Sequence, residues 1–431
     1  MLFYREHVVD VLLLLEQFYH DAFATKRCLT EISRLLRATP PASLAVLATD
    51  YHFVPRLHAC LQPHAANMDI VHSLCLVLQH LLRLPDATDG STSSALHHDH
   101  VVESGLWKIV LDAMKRDLDN VAFHIIGFAL LSSLCYAAPF TPHETNQRDL
   151  VHAGAMDMVL HITTLHSEMT AVGASTLADL CYKNRTSLAM CVCHDLAEAT
   201  NADRAFKAEA FQLFSKGLHR AFRDAASVSS IAAAIFHLHV ASPAKAQQCF
   251  LQWSLLDRWV TCVSAHVDAL DVQYQLLRTL DLLLRHNETA KDAFCAKEMP
   301  FHLVTALDAM HDTFGVALAP VAYVAAIVFA SVAVTTTSAG AWFVHGGRIQ
   351  NLIKASVHSF AVSSLTHFPK AIPALEQCIR LVELLAMPGT YRAILIRAGA
   401  ARHIRYIYTS KKHDGVIVLC ERALGALESG S

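Results

Sequence analysis

Four segments of this 431-residue chain repeat one pattern: an apolar pair four and three residues before a glycine, then an aliphatic residue five after it. They are Val101-Val102 with Gly105 and Val110, Leu150-Val151 with Gly154 and Val159, Phe343-Val344 with Gly347 and Leu352, and Leu395-Ile396 with Gly399 and Ile404. Such a pattern reads as a short helix ending on its apolar pair, a glycine that lets the chain turn sharply, and a second helix showing its apolar face. Self-similarity of this kind constrains the fold more than any single motif, because each unit must bury its apolar face against the next one.

A third, longer apolar helix follows, as at Asn120 to Ala137, Thr170 to Lys183 and Ala374 to Ala386. Weaker copies place further turns at His52, Glu209, Leu255 and Met299, each followed by an apolar residue (Leu57, Phe214, Val260, Val304). The turn positions are then spaced by 53, 49, 55, 46, 44, 48 and 52 residues, slightly above the roughly 40–47 of helical repeats of this size. Loop insertions absorb the excess, the clearest being Pro85 to His100, where Asp, Gly, Ser and Thr cluster. Scarce glycine (15) and proline (13), with 53% hydrophobic and 17% charged residues, fit long packed helices in a chain too large for one core.

This short, medium and long trio resembles the armadillo repeat. The resemblance covers about residues 45 to 427 and implies an all-α, right-handed superhelical solenoid of about eight repeats. Residues 1–44 are expected to form a helical cap on a solenoid running over 45–431, with a loop insertion at 85–100.

Composition excludes some functions. A net charge of -3 gives no basic field for nucleic acid. The twelve cysteines stand singly in apolar runs, as at Cys135, Cys181 and Cys420, the pattern of reduced core thiols. The N-terminus has no basic region followed by an apolar segment. Together these point to a cytoplasmic protein, with the nucleus also open. Phe314 to Val344 carries no charged residue or histidine and is long enough to span a bilayer. Pro320, Thr335 to Ser338 and Gly340 interrupt it, so a buried helix is expected there.

No phosphate loop or nucleophile elbow is present. His345-Gly346-Gly347 stands where a repeat needs its turn. Cys191, Cys193 and His194 have the wrong spacing for a zinc knuckle. His97-His98-Asp99-His100 reads as the end of a solvated loop, and a single His143-Glu144 pair cannot assemble a repeated His-Glu iron site. No cofactor, metal or catalytic residue is therefore expected. Asn184 and Asn287 read as caps closing third helices, and of His237 and His239, two apart on one helix, one faces outward while the other packs.

In armadillo proteins the third helices line a concave groove, so the resemblance implies partner binding there. Matching the Leu-x-x-Leu frame of those helices places His80, Ser133, Asp179, His237, Leu282, Glu383 and Ala426 at groove positions. The polar members, His80, Ser133, Asp179, His237 and Glu383, are the expected partner-binding residues, with affinity expected to change between about pH 5.5 and 7.5 as the histidines titrate. The asparagine and tryptophan ladders of nuclear-import adaptors are missing: no asparagine stands in the set, and Trp107, Trp253, Trp259 and Trp342 lie outside third helices. The reading is a non-catalytic scaffold or adaptor that takes a protein or peptide, without nucleic acid or membrane. A membrane-anchored tethering protein using 314–344 and a metal-dependent enzyme are its alternatives.

Overall fold

The computed structural model describes residues 2–39, 44, 47, 52–82, 95–138, 141–181, 210–336, 342–410 and 413–428. The chain divides into two units, residues 1–213 and 214–431, each a stack of armadillo-type helix triplets.

The first unit holds α1 (Leu2–Phe18), α2 (Ala22–Ala38), α3 (Phe53–Leu61), α4 (Met68–Leu81), α5 (Ala95–Ser104), α6 (Leu106–Arg116), α7 (Val121–Leu134), α8 (Glu144–His152), α9 (Ala155–Leu165) and α10 (Thr170–Cys181). The second holds α11 (Ala210–Ala221), α12 (Ala225–Ala241), α13 (Pro243–Gln252), α14 (Leu255–Ala265), α15 (Leu270–Leu284), α16 (Glu288–Ala296), α17 (Met299–Phe314), α18 (Ala319–Ala333), α19 (Gly346–Lys354), α20 (Val357–His367), α21 (Ile372–Ala386), α22 (Arg392–Arg397), α23 (Ala400–Ser410) and α24 (Asp414–Glu428). Third helices lie side by side: α2, α4, α7 and α10 in the first unit, and α12, α15, α18, α21 and α24 in the second. The pair α1–α2 packs together, with α2 standing next to α4 as the first member of that row.

Local sequence explains the starts of these helices. Asp21, Asn67, Asn120 and Asp224 each accept backbone N–H groups at the head of α2, α4, α7 and α12, the N-cap role that short polar side chains fill. All four head third helices. The second helices start on a left-handed residue: His52, Gly105, Gly154, Ser254, Glu298, Ser356 and Gly399 all have positive φ. Two expected turns, Leu255 and Met299, thus sit one residue late. Gly347 is a correction of a different kind. It lies inside the first turn of α19, and the hinge of that triplet is Ser356, nine residues on. Phe343-Val344 is accordingly a strand, not the end of a short helix.

Two short antiparallel hairpins interrupt the helices: β1 (Tyr136–Ala138) with β2 (Thr141–Pro142), and β3 (Val334–Thr336) with β4 (Trp342–Val344). Each leaves a third helix and ends on a histidine that caps the next helix. His143 and His345 accept through Nδ1 from the backbone N–H of Asn146 and Arg348. Other histidines latch successive triplets. The ring Nε2 of His166, after α9, donates to the Leu118 carbonyl after α6, and His266, after α14, to Phe222 after α11, both at 2.8 Å.

Of the apolar stretch at 314–344, the part that forms α18 is buried as expected, whereas Val316, Trp342 and Phe343 are exposed and 337–341 lie outside the described residues. Val321, Ala322, Val324, Ala325, Ala326, Val328, Phe329 and Val332 of α18 are all buried, between α15 and α21. Met299–Ala333 is long and apolar enough to cross a membrane by length and composition, but Gly315 within it has a positive φ (+52°), and these apolar side chains of α18 pack against protein on both flanks. The insertion read at 85–100 ends earlier than expected. Residues 95–100 belong to α5, where His98 is buried and Asp99 meets His143 Nε2 at 2.5 Å, so they are not a solvated loop; 83–94 lie outside the described residues.

Charges are buried at one place among the first helices. Arg348 of α19 and Lys291 of α16 are 3% and 1% exposed. Arg348 donates to Glu288 (2.6 Å) and Asp292 (2.7 Å), Lys291 to Glu288 and to the Val334 carbonyl (both 2.8 Å). Two cations thus meet two carboxylates, which tie hairpin β3–β4 to the stack. Burial pushes the Glu288 carboxyl up, but hydrogen bonds from Lys291 and Arg348 outweigh it and hold the pKa at about 2.

Two stability predictions follow from these features. Replacing Glu298 or Ser356 by glycine removes a left-handed cost of about 1–2 kcal/mol and returns about 0.5–1 kcal/mol of chain entropy to the unfolded state. Each change should therefore stabilise by about 0.5–1 kcal/mol in urea unfolding, while Gly154→Ala destabilises; equal midpoints for all three would refute the hinge assignment. Glu288→Gln leaves two buried cations short of a partner. It should cost about 2 kcal/mol, below the roughly 3–5 of a fully buried pair because Glu288 is one-third exposed. Because the folded pKa is depressed, the wild-type contribution is complete above about 4.5 and is lost as pH falls toward 2, and the variant should show a shallower acid slope.

Candidate partner-binding face

A third helix flanked by two others keeps only a narrow stripe for solvent. On α12 that stripe holds Phe236 and His237, on α15 Tyr274 and Arg278, on α18 Tyr323, and on α21 Glu376 and Arg380; Arg278 and Arg380 are exposed and the others half-buried. The Arg278 guanidinium sits 3.8 Å above the Phe236 ring, a cation–π contact between neighbouring third helices. Of this stripe, sequence reasoning found only His237. The stripe's signal was the i, i+4 pairing of Tyr274 with Arg278 and of Glu376 with Arg380.

The residues expected in the groove have varied fates. His80 is half-buried in the last turn of α4. Ser133 is half-buried and donates to the Ala129 carbonyl of its own helix (2.9 Å). Asp179 is half-buried on α10, where its Oδ1 accepts from the Tyr136 hydroxyl at 2.5 Å. Burial raises its pKa, against hydrogen bonds from Tyr136 and Ser132 that lower it. Glu383 of α21 is buried, and its Oε1 accepts from Arg422 Nη2 (2.7 Å) and Nε (3.0 Å) of α24. Leu282 is half-buried, but the polar residue at that level is its neighbour Asp281, which accepts from Ser331 of α18 (3.1 Å) and from Arg285 (2.5 Å). Ala426 is half-buried on α24.

These contacts share one geometry: Tyr136 to Asp179, Ser331 to Asp281 and Arg422 to Glu383 each run from one triplet to the next. Ser132 and Thr176 hydrogen-bond across α7 and α10 in the same way (3.2 Å). Polar side chains at these levels therefore fasten the row of third helices together. Asp179 Oδ1 and Glu383 Oε1 are thus already taken by internal donors, while Glu383 Oε2 is buried without a hydrogen-bond partner.

His237 and His239 behave as a packed pair. His239 is buried, and His237 is half-buried with its ring edge-on to Phe236 at 5.5 Å. Burial, helped by Arg278 for His237 and Arg285 for His239, pushes both pKa values down to about 4. The expected titration of His237 between pH 5.5 and 7.5 is thus corrected, because its proton leaves well below that range. Asn287 is also reassigned. It accepts from Ala290 N at the head of α16, and the left-handed residue after α15 is His286 (φ +60°). Asn184 and the Cys191–His194 cluster lie outside the described residues.

Among the described residues no group of three or more His, Cys, Asp or Glu side chains is placed to hold a metal ion. The described cysteines are all free thiols, and burial alone pushes Cys262 up to about 12.

No family model and no curated protein matches the chain. Solved structures resemble it, among them two engineered proteins and a designed armadillo repeat protein. An engineered protein of the Northeast Structural Genomics Consortium shares 18% identity at a TM-score of 0.48, covering 64% of this chain and 99% of its own. A second engineered protein of that consortium stands at 16% and 0.45, covering 64% and 98%. A designed armadillo repeat protein stands at 16% and 0.46, covering 64% and 99%.

The histidine shifts carry a pH prediction. Between pH 6.5 and about 4 the unfolded imidazoles bind protons that the folded His237 and His239 do not, so stability falls as pH drops through that window. Unfolding midpoints in urea at pH 7 and 5 should differ in this direction, and less in a His237→Phe/His239→Phe variant; an undiminished difference would place the sensitivity elsewhere.

Proposed function

We propose that this chain is a non-catalytic interaction scaffold, in which the exposed stripe of the third helices binds an extended segment of another protein. The observation that carries the reading is the alignment of Phe236, Tyr274, Arg278, Tyr323 and Arg380 on successive third helices, none of them needed to close the core. Aromatic faces and guanidinium groups are the residue types that dominate protein interfaces. A face built from packed helices offers them with little rearrangement on binding. Asp179 and Glu383 then act as spacers that hold the stripe's geometry, and the partner contacts fall on the arginines and tyrosines beside them. Free, isolated thiols support a reducing compartment, the cytoplasm or nucleus.

The test is affinity capture from native lysate with wild-type chain and with an Arg278→Glu/Arg380→Glu variant of unchanged melting temperature. Loss of specific partners by about tenfold, near 1.4 kcal/mol, is expected for the variant. An identical partner profile would remove the third-helix face from the function.

A further inference from the structure

Away from the third helices, the last two triplets of the second unit carry a different surface. Residues 384–413 contain Arg392, Arg397, Arg402, Arg405, Lys411 and Lys412 and no aspartate or glutamate, in a chain whose net charge is -3. Local excess of one sign at this density is a field aimed at the opposite charge. Lys411 and Lys412 lie outside the described residues, so the geometry rests on the arginines. Arg405 is spent on Glu428 of α24 (2.6 Å), and Arg392 turns its Nε to the Ala386 carbonyl. Arg397 and Arg402 are exposed, and their hydrogen bonds go to the Ala393 carbonyl and to the ring of His403, not to a carboxylate.

A cleft of about 420 Å³ opens between the second helices α20 and α23, and Arg402 reaches it through His403, which lines it and meets the Arg402 guanidinium. Its floor is apolar, with Leu365 and Ile407 each 3% exposed and Pro369 at one end. Tyr406 forms one wall and is 70% exposed, while His403 and Ser410 supply polar edges. The α23 carboxylate neighbours, Glu421 and Glu428, stand on the α24 side, where they meet Tyr408 and Arg405. No acidic residue lines the cleft.

We propose that this cleft docks an acidic peptide segment, one apolar side chain entering between Leu365, Ile407 and Tyr406 while flanking carboxylates pair with Arg402 and Arg397. Shape and charge select this occupant. A recess of this volume matches one or two side chains, and a bilayer surface cannot enter it. Single-stranded nucleic acid is held by cations tracking a backbone and by successive stacking platforms, whereas a single tyrosine lines this cleft. The surface is separate from the third-helix stripe, so the two readings stand or fall independently.

The experiment is selection of random dodecapeptides displayed on phage against the full chain, followed by fluorescence anisotropy with the selected peptides made synthetically. Peptides whose Kd rises about tenfold on Arg402→Glu and on Tyr406→Ala, but not on Arg380→Glu, should carry at least about twice the library's share of Asp and Glu around an apolar residue, and should weaken as salt rises. Circular dichroism checks each fold, and Arg402→Gln replaces any variant that melts early. Failure to recover peptides sensitive to these two positions overturns the proposal, as does recovery of sensitive peptides without acidic enrichment. Arg402-dependent binding of phosphatidylserine vesicles or a uridine dodecamer, in place of such peptides, overturns it in favour of lipid or RNA.

Discussion

Lateral burial of one third helix against the next is the interaction on which everything else here depends. Each of these helices is apolar over so much of its circumference that it cannot exist alone: α18 hides Val321, Val324, Val328, Phe329 and Val332, each worth roughly 1.5–3 kcal/mol when removed from water. Only a neighbour on both sides satisfies that demand, and the first and second helices of each triplet serve to bring the neighbour into place. The left-handed hinges follow from the same need. A medium helix has to turn back sharply from a short one, and the chain pays for that turn with a strained residue wherever glycine is absent.

How much of this was legible depends on whether the signal was a pattern or a single residue. Third helices were readable to within a few residues because long runs of Leu, Ala and Val cannot mean much else in a repeating chain. Hinges were readable at Gly105, Gly154 and Gly399, yet a glycine is only one answer to a positive φ. His52, Ser254, Glu298 and Ser356 give the same backbone without a glycine to mark it; the apolar pattern alone places the first of these correctly and the next two one residue late, and it misses Ser356. Gly347 carried the mark without the backbone, since a hairpin ending at Val344 supplies the apolar pair that the pattern takes for a helix end. Two residues of strand and two of helix look alike when both are apolar.

The groove residues were harder for a related reason. A Leu-x-x-Leu frame finds the buried side of a helix packed on one face, but a third helix is packed on both flanks, and the polar positions next to the leucines fall at the seams. Asp179, Asp281 and Glu383 all lie at seams, where Tyr136 of β1, Ser331 of α18 and Arg422 of α24 reach them from the adjoining triplet. Burial alone does not exclude a carboxylate from a seam; an unpaired one would be costly, and a paired one fixes register between helices that are otherwise smooth.

Under the proposed function, that division of labour favours the stripe between the seams. Asp179 Oδ1, Asp281 Oδ1 and Glu383 Oε1 already have donors, and prising one free costs about 1–3 kcal/mol for each hydrogen bond to a charged group. Side chains on the stripe between seams carry no such debt: Arg278 rests on Phe236 and Arg380 is exposed, so a ligand gains their contacts without first breaking others. The same reasoning applies to α23, where Arg405 is held by Glu428 while Arg402, three residues earlier, meets no carboxylate. In a stack whose interior is assembled from repeated pairings, the charges that the repeat leaves over are the ones open to new contacts.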